Sequence, residues 1–208
     1  MSRPSDVAFS DAVKAVQTRN GSRQAYARME QGAGWHSEVT DELAAFVGEQ
    51  TSFFLATANS AGQPYIQHRG GPKGFLRVLG PTTLGFADFR GNRQYISIGN
   101  LTENPNVHLF LIDYAEQRRV KIWGQASVVE RDAELLAKLA LADYDARVER
   151  AIVVRITAWD ANCPQHIPQR IDAADAIAAI ETRDRRIAEL EAQLRSVRSP
   201  NATNTDIP

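Results

Sequence analysis

The chain has 208 residues, a length that fits one domain, or one domain of about 150 residues with an appendage. Apolar residues make up 43% of it and charged residues 24%, so the chain can bury a core and is not disordered as a whole. Its 24 Lys and Arg residues are balanced by 25 Asp and Glu residues, which excludes binding of nucleic acid or an anionic membrane through overall charge.

The cysteine content and the N-terminus narrow the class further. A single cysteine, Cys163, excludes an internal disulfide framework and a four-cysteine zinc site. No apolar stretch follows the opening residues MSRPSD, so we expect no signal peptide. The longest apolar runs, such as residues 107–112, are too short to span a bilayer. We therefore expect a cytoplasmic protein without nucleic-acid or membrane partners.

The first part of the chain predicts helices. Residues 1–37 are polar with loosely helical spacing of apolar positions, which indicates one or two short helices. Thr40 is a candidate N-cap for a helix that runs to about Gln50, because acidic residues occupy the first turn after it.

From Ser52 onward the pattern changes to short apolar runs separated by Gly and Pro. Residues 53–58 and 64–69, with turn residues between them, predict a β-hairpin. Many short strands with few helices predict a mainly β fold with helical inserts (α+β), a barrel or a sandwich. The further predicted strands cover 75–79, 83–86, 107–112, 119–129 and 152–159, and the helical inserts cover about 92–103 and 132–141.

The C-terminal region predicts one long helix, from Asp172 to about Arg198. Apolar residues repeat there with heptad spacing, at Ile180, Ile187 and Leu194 and at Leu190 and Val197, while Arg183 interrupts the second row. Two interpretations stay open: a helix packed on its own domain, or a short coiled coil that joins two subunits. Residues 199–208 are predicted to be disordered.

Common catalytic motifs are absent from the sequence, which has no GxSxG, GxxxxGK[ST], HExxH or GxGxxG pattern. Cys163 and His166 form only half of a metal site, so no metal is predicted. His108 lies in an apolar strand and is interpreted as a core histidine.

Two basic segments are candidates for ligand binding. Residues 67–77 place basic side chains among glycines at a strand end, where the backbone can approach a flat ligand. Residues 86–98 place Arg90, Asn92 and Arg93 where a strand leads into a helix, an arrangement suited to phosphate. The alternatives are a tight turn with solvated charges and a helix capped by Asn92.

Taken in order, the segments from about Glu38 to Trp159 resemble the FMN-binding split barrel of the pyridoxamine 5′-phosphate oxidase-like family. The stretches that carry the resemblance are FFLATANSAGQPYIQHRGGPKGFLRV, LGFADFRGNRQYISIGNLTENPNVHLFLID and RRVKIWGQASVV. Within them, the element Glu103-Asn-Pro-Asn-Val107 ends a helix and starts a strand, because Asn-Pro cannot continue a helix.

The resemblance implies a homodimer with FMN in each of two interface sites. Arg93 and Gln94 take the place of the family's phosphate-binding Arg-Lys pair, and Lys73 or Arg90 would compensate for the missing lysine. The remaining cofactor-binding residues that it implies are His68, Arg69, Gly70, Gly71, Lys73, Ala87, Asp88 and Arg119. Oxidases of pyridoxamine phosphate end with an R-x-H-[DE]-R motif, which this chain lacks, so we do not expect it to oxidise vitamin B6.

The segment between the last strand and the tail helix, residues 159–170, is dense in polar groups. We hypothesise that it closes over the flavin, with Gln165 and with His166 as the candidate catalytic residue. The alternative is a loop, fixed by two prolines, that leads into the tail helix.

The sequence thus predicts an FMN-dependent oxidoreductase that passes a hydride or electrons to a small acceptor. Alternatives are a flavin-binding module without turnover and the same barrel with haem or a deazaflavin. The expected parts are an N-terminal helical segment (1–37), the FMN-binding split barrel (38–170), the C-terminal helix (171–198) and the disordered tail (199–208).

Overall fold

A computed structural model describes residues 3–32, 34–141, 144–162 and 164–198, without the side chains of Asn162 and Arg198. The chain divides into two compact units. The first consists of the residues up to 113 together with 117–167 and holds every strand. The second consists of residues 114–116 and the chain from 168 onward.

Seven antiparallel strands form one sheet in the order β2-β1-β5-β6-β7-β4-β3. The predicted fold class is confirmed: an α+β split barrel with a C-terminal helix. The strands are β1 (Ser52–Ala58), β2 (Pro64–Gly70), β3 (Leu76–Gly80), β4 (Thr83–Phe89), β5 (Asn106–Asp113), β6 (Arg118–Val129) and β7 (Val148–Asn162).

Six α-helices accompany the sheet in the described residues. The predicted cap at Thr40 forms, and Asp132 caps a further helix that the sequence predicts without identifying its cap. The Thr40 hydroxyl accepts a hydrogen bond from the Leu43 amide at 3.2 Å, and the Asp132 carboxylate accepts one from the Leu135 amide at 2.9 Å. The helices are α1 (Asp11–Arg19), α2 (Arg23–Gln31), α3 (Asp41–Glu49), α4 (Ile96–Glu103), α5 (Ala133–Leu139) and α6 (Ala173–Arg198).

Helix α4 begins later than the sequence predicts, at Ile96 rather than near Asn92. Arg93 and Tyr95 have φ angles of 62° and 54°, and this left-handed backbone cannot continue a right-handed helix. Asn92 therefore does not cap the helix; its side-chain oxygen accepts from the Gln94 amide instead. The end of α4 at Glu103 and the start of β5 at Asn106 agree with the Asn-Pro signal.

The core is built by the alternation of side chains along the strands. In β1, Phe53 and Leu55 are fully buried while Phe54 between them is partly exposed. Phe53 stacks on Phe75 and meets the edge of Phe86, with ring centroids 5.6 and 5.2 Å apart. Together with buried apolar side chains from every strand except β2 and from α3, these rings fill the interior of the barrel.

The N-terminal helices belong to the first unit through a row of aromatic contacts. Phe9 meets the edge of Tyr26 at 5.3 Å and packs against Trp35 at 5.1 Å. Trp35 in turn stacks on Trp123 of β6, with centroids 4.7 Å apart. The predicted boundary after residue 37 therefore does not separate two compact units.

No helix among the described residues is both long and apolar enough to cross a membrane. Within the same residues, no group of three or more His, Cys, Asp or Glu side chains is arranged to hold a metal ion.

Strands β6 and β7 form the longest ladder, and a register shift interrupts it between Trp123 and Gly124. A Cβ atom at position 124 would lie 2.6 Å from the Arg155 carbonyl oxygen and 2.9 Å from Val154 Cγ1. The close approach of the two backbones at this shift requires glycine.

We predict that Gly124→Ala lowers the free energy of unfolding by about 1–3 kcal/mol, because backbone atoms must move to admit the methyl group. Gly99→Ala is the matched control, since Gly99 lies on the exposed side of α4 with open space around it. Alanine there should stabilise the protein by up to about 1 kcal/mol. Urea unfolding measures both variants, and equal effects would contradict the close-contact interpretation.

Candidate functional site

An open cleft with an enclosed volume of only about 50 Å³ lies where the two ends of the sheet face each other. β2 forms one edge of the sheet, and β4 lies next to the other edge. The loop that leads into α4 completes the wall. The lining residues are Tyr65, Gln67, Arg69, Asp88, Phe89, Gly91, Asn92, Arg93, Gln94, Tyr95, Ile96, Ser97, Ile98 and Glu149.

Successive side chains of β2 point to opposite faces of the sheet, so only every second one reaches the cleft. Tyr65, Gln67 and Arg69 lie opposite the buried residues of β1, so they point to the inner face. The Ser97 hydroxyl donates to Gln67 Oε1 at 3.1 Å, which joins the start of α4 to β2. Farther along α4, the Asn100 amide donates to Thr57 Oγ1 at 2.9 Å.

A buried ion network crosses from β2 to β4 and β7. Arg69 Nη1 lies 2.5 Å from Asp88 Oδ1, and Arg150 Nε lies 3.7 Å from Asp88 Oδ2. The three side chains are only 14%, 7% and 12% exposed, so their attraction is weakly screened by water. Asp88 thus holds two guanidinium groups at the wall of the cleft.

The network leaves hydrogen-bond donors unused. Arg69 Nε and Arg150 Nε are buried, and neither donates a hydrogen bond to any described residue. A buried donor without an acceptor is costly, so a bound anion that accepts from these atoms would be stabilised.

A second chain of contacts holds the loop before α4. Arg93 Nε donates to the Tyr95 hydroxyl at 3.4 Å, and that hydroxyl donates to Glu149 at 3.2 Å. The hydrogen bond to Tyr95 raises the pKa of Arg93. Arg150 lies over the Tyr95 ring at 5.0 Å and donates to Glu149 at 3.0 Å.

The N-terminus of α4 is open to a ligand. Its first residue is preceded by Tyr95, whose side chain makes no capping hydrogen bond. The amide groups of the first turn, at Ile96, Ser97 and Ile98, belong to residues that line the cleft. Arg93 forms no ion pair with any carboxylate in the described part of the chain. An uncapped helix N-terminus beside a free arginine is suited to a phosphate group.

The structure brings four of the predicted site residues together at the cleft: Arg69, Asp88, Arg93 and Gln94. Ala87 precedes Asp88 but is buried in a separate apolar cluster with Leu139 and Ala151.

The predicted glycine turn after β2 has a structural explanation. The Gly71 amide donates to the Thr51 carbonyl at 3.0 Å, and a Cβ there would lie 2.7 Å from Phe75 Cβ. Lys73 pairs with Glu49 on the surface at 2.7 Å. Gly70, Gly71 and Lys73 therefore do not line the cleft of their own chain.

His68 and Arg119 lie on the outer face of the sheet. His68 is opposite Phe54 of β1, and Arg119 is opposite Ile112 of β5. Phe54 and Ile66 are 38% and 64% exposed on this face. We call the outward side chains of β1, β2, β5 and β6 the outer sheet face.

The start of β7 lines the cleft, and His166 lies beyond the other end of that strand. Between Glu149 and Asn162, roughly 40 Å of extended backbone separates the two ends. His166 is exposed and has a φ of 67°, while the next residue, Ile167, is buried and accepts at its carbonyl from Gln117 at 2.6 Å. A role for Gln165 and His166 over a flavin stays a prediction, and Cys163 lies outside the described residues.

His108 is not a core histidine as predicted: it is half-buried on the outward side of β5, between the buried residues Val107 and Leu109. Its ring meets the edge of the Trp123 ring at 4.7 Å. Burial, and then the charge of Lys121, lowers the pKa of His108. Burial also lowers the pKa of Lys121 and raises that of Asp160, which lies 4.0 Å from it.

No pattern in the sequence identifies three residues of the site, and they are Tyr95, Glu149 and Arg150. Arg150 reaches Asp88 because the two residues pair directly between β7 and β4, more than sixty positions apart. Only the register of that pair of strands brings them together.

A family model described as Pyridoxamine 5′-phosphate oxidase matches residues 39–177, more than half of the chain. HupZ of Group A Streptococcus is 18% identical over 64% of this chain and 99% of that one, with a TM-score of 0.48. An FMN-binding protein from Syntrophomonas wolfei is 12% identical over 70% and 97%, with a TM-score of 0.46. HutZ, the heme storage protein from Vibrio cholerae, is 20% identical over 55% and 86%, with a TM-score of 0.37. No curated protein matches the chain.

We predict that Asp88→Asn lowers the free energy of unfolding of the cofactor-free protein by about 3 kcal/mol. The buried Arg69 guanidinium loses its carboxylate partner, and Arg150 keeps only Glu149 and Glu130 among the described residues. Glu49→Gln is the control: it removes an ion pair whose side chains are 66% and 67% exposed and should change stability by less than about 0.5 kcal/mol. Denaturant unfolding compares the two, and a similar small effect for both would contradict the account of the network.

Proposed function

This chain belongs to the pyridoxamine 5′-phosphate oxidase family, and we propose on that premise that it binds FMN at the cleft. We propose further that it acts as an oxidoreductase, passing a hydride or electrons between small molecules. The observation that carries the proposal is the set of donors available at the cleft. They are the Arg93 guanidinium, which forms no ion pair among the described residues, the buried Arg69 Nε without an acceptor, and the uncapped first turn of α4.

These donors suit the phosphate of FMN. That phosphate carries nearly two negative charges and several acceptor oxygens, which charged donors and a helix N-terminus stabilise. Arg93 supplies the free charge, and the backbone amides of α4 supply donors that no side chain caps. Gln94 keeps a polar group where the oxidases have lysine, so Arg93 takes a larger share of the phosphate contact.

The same lining favours a flavin over haem. Haem iron is held by side chains such as His, Cys, Met or Tyr. No His, Cys or Met is among the described residues that line the cleft. Its two tyrosines have other partners: the Tyr65 hydroxyl donates to Gln67 Oε1 at 3.5 Å, and Tyr95 is engaged with Arg93 and Glu149. The haem alternative therefore ranks below FMN.

The outer sheet face supports the homodimer that the family resemblance implies. Partly exposed apolar side chains, Phe54 and Ile66, lie there beside His68 and Arg119. A second subunit that covers this face would bury the apolar groups and bring both polar residues to the interface. His68 and Arg119 would then serve an interface site rather than the cleft of their own chain.

FMN, when bound, supplies the redox chemistry by accepting and releasing a hydride or electrons. The residues of this chain hold its phosphate at Arg93 and α4, and the Asp88 network keeps Arg69 in place. The carboxylates at the cleft, Asp88 and Glu149, are both committed to arginines, so neither is a free general base.

That commitment of both carboxylates favours one further candidate, a flavin-binding module without turnover. Reduction of the bound flavin by NAD(P)H or another small donor distinguishes the two functions, because a storage or relay module would resist it.

We predict that Arg93→Ala weakens FMN binding about tenfold or more, because a charge-assisted contact to the phosphate is lost. Arg19→Ala, which removes an exposed arginine at the end of α1, should leave the dissociation constant unchanged. Quenching of flavin fluorescence on titration measures both. An unchanged constant for Arg93→Ala would remove Arg93 from the site.

A further inference from the structure

Helix α6 is long and carries a row of exposed apolar side chains. It spans 26 residues, about 39 Å, at 1.5 Å per residue. Six large apolar side chains along it are between 42% and 79% exposed, and they are Ile177, Ile180, Ile187, Leu190, Leu194 and Val197. A helix gains most of its stability in water from burial of such a face.

The apolar positions follow a heptad repeat. Ala173, Ile180, Ile187 and Leu194 occupy position a, and Ala176, Arg183, Leu190 and Val197 occupy position d. We call these eight residues the a/d seam. Ile180 and Ile187 at a with Leu190 at d follow the pattern that favours a two-stranded parallel coiled coil, whereas Leu194 and Val197 at the end of the seam do not.

We propose that α6 pairs in parallel and in register with α6 of a second copy of this chain, through the a/d seam. The proposal concerns assembly of the protein and does not depend on the proposed function.

The charges that flank the seam favour the parallel arrangement. Arg186 at position g lies five residues before Glu191 at position e, so a parallel pair places Arg186 beside Glu191 of the second copy, twice by symmetry. An antiparallel pair that aligns the eight seam residues places Asp184 beside Asp184 of the second copy, and both are acidic. Within one helix, Arg186 also pairs with Glu189, and Glu191 pairs with Arg195.

Arg183 is the polar residue of the seam and fixes the register. In a parallel pair, Arg183 faces Arg183 of the second copy, and the repulsion between the two charges lowers the stability of the pair. Arg183 also lies next to Asp184 of the second copy. A shift by one heptad would place Arg183 against Leu190 or Ala176 and bury its charge against an apolar side chain. A single polar residue in a coiled-coil core sets register at some expense of stability.

Disulfide trapping in the full chain tests the pairing, with Cys163→Ser as the background. In a parallel, in-register pair the two side chains at position 180 are adjacent, so oxidised Ile180→Cys should become mainly covalent dimer on a non-reducing gel. Ala178→Cys is the matched control, because residue 178 is exposed and occupies position f, on the side away from the seam. It should stay monomeric under the same conditions.

Two results would overturn the proposal. An antiparallel pair that aligns the seam would leave Ile180→Cys uncrosslinked by itself, since about 15 Å of helix would separate the two thiols. It would instead crosslink when mixed with Leu190→Cys, because position 180 then faces position 190 of the second copy. A helix that packs on its own domain, or stays single, would give no specific crosslink, either with Ile180→Cys alone or in the mixture of two variants. Any covalent dimer would then form no faster at position 180 than at position 178.

Discussion

The ion network around Asp88 joins parts of the sheet that no backbone hydrogen bond connects. Within the described residues β2 pairs only with β1, and β4 lies at the far side of the strand order. Arg69 reaches across from β2 to Asp88, and Arg150 reaches the same carboxylate from β7. Between β2 and β4 the barrel is therefore closed by ion pairs between side chains and not by hydrogen bonds between strands. The cleft is the opening that remains there.

This kind of closure also explains why the cleft is ready for an anion. One carboxylate cannot satisfy every donor of two guanidinium groups, so Arg69 Nε and Arg150 Nε stay without acceptors among the described residues. The left-handed backbone at Arg93 and Tyr95 delays the start of α4, and the first turn of that helix opens onto the same space. The arginines that form the ion network around Asp88 therefore lie close to Arg93, at which we propose that the FMN phosphate binds.

The sequence predicted the fold well because local signals determine most of it. Thr40 has the chemistry of a cap and forms one, and Asn-Pro before Asn106 ends α4 as expected. The site was predicted less completely. Arg93 was found through its place before a helix, but Arg150 and Glu149 depend on the register of β4 with β7, which no local pattern encodes. The sequence predicts too early a start for α4, because neither arginine nor tyrosine is a residue type that commonly adopts a left-handed backbone conformation.

The most direct test is an absorbance spectrum of the purified protein, followed by mass spectrometry of any cofactor released by heat. Two flavin bands and a released mass equal to FMN are the expected result. A colourless protein that added FMN cannot reconstitute would contradict the account, as would a haem spectrum. Either of those would show that the donors at the cleft serve another anion or none.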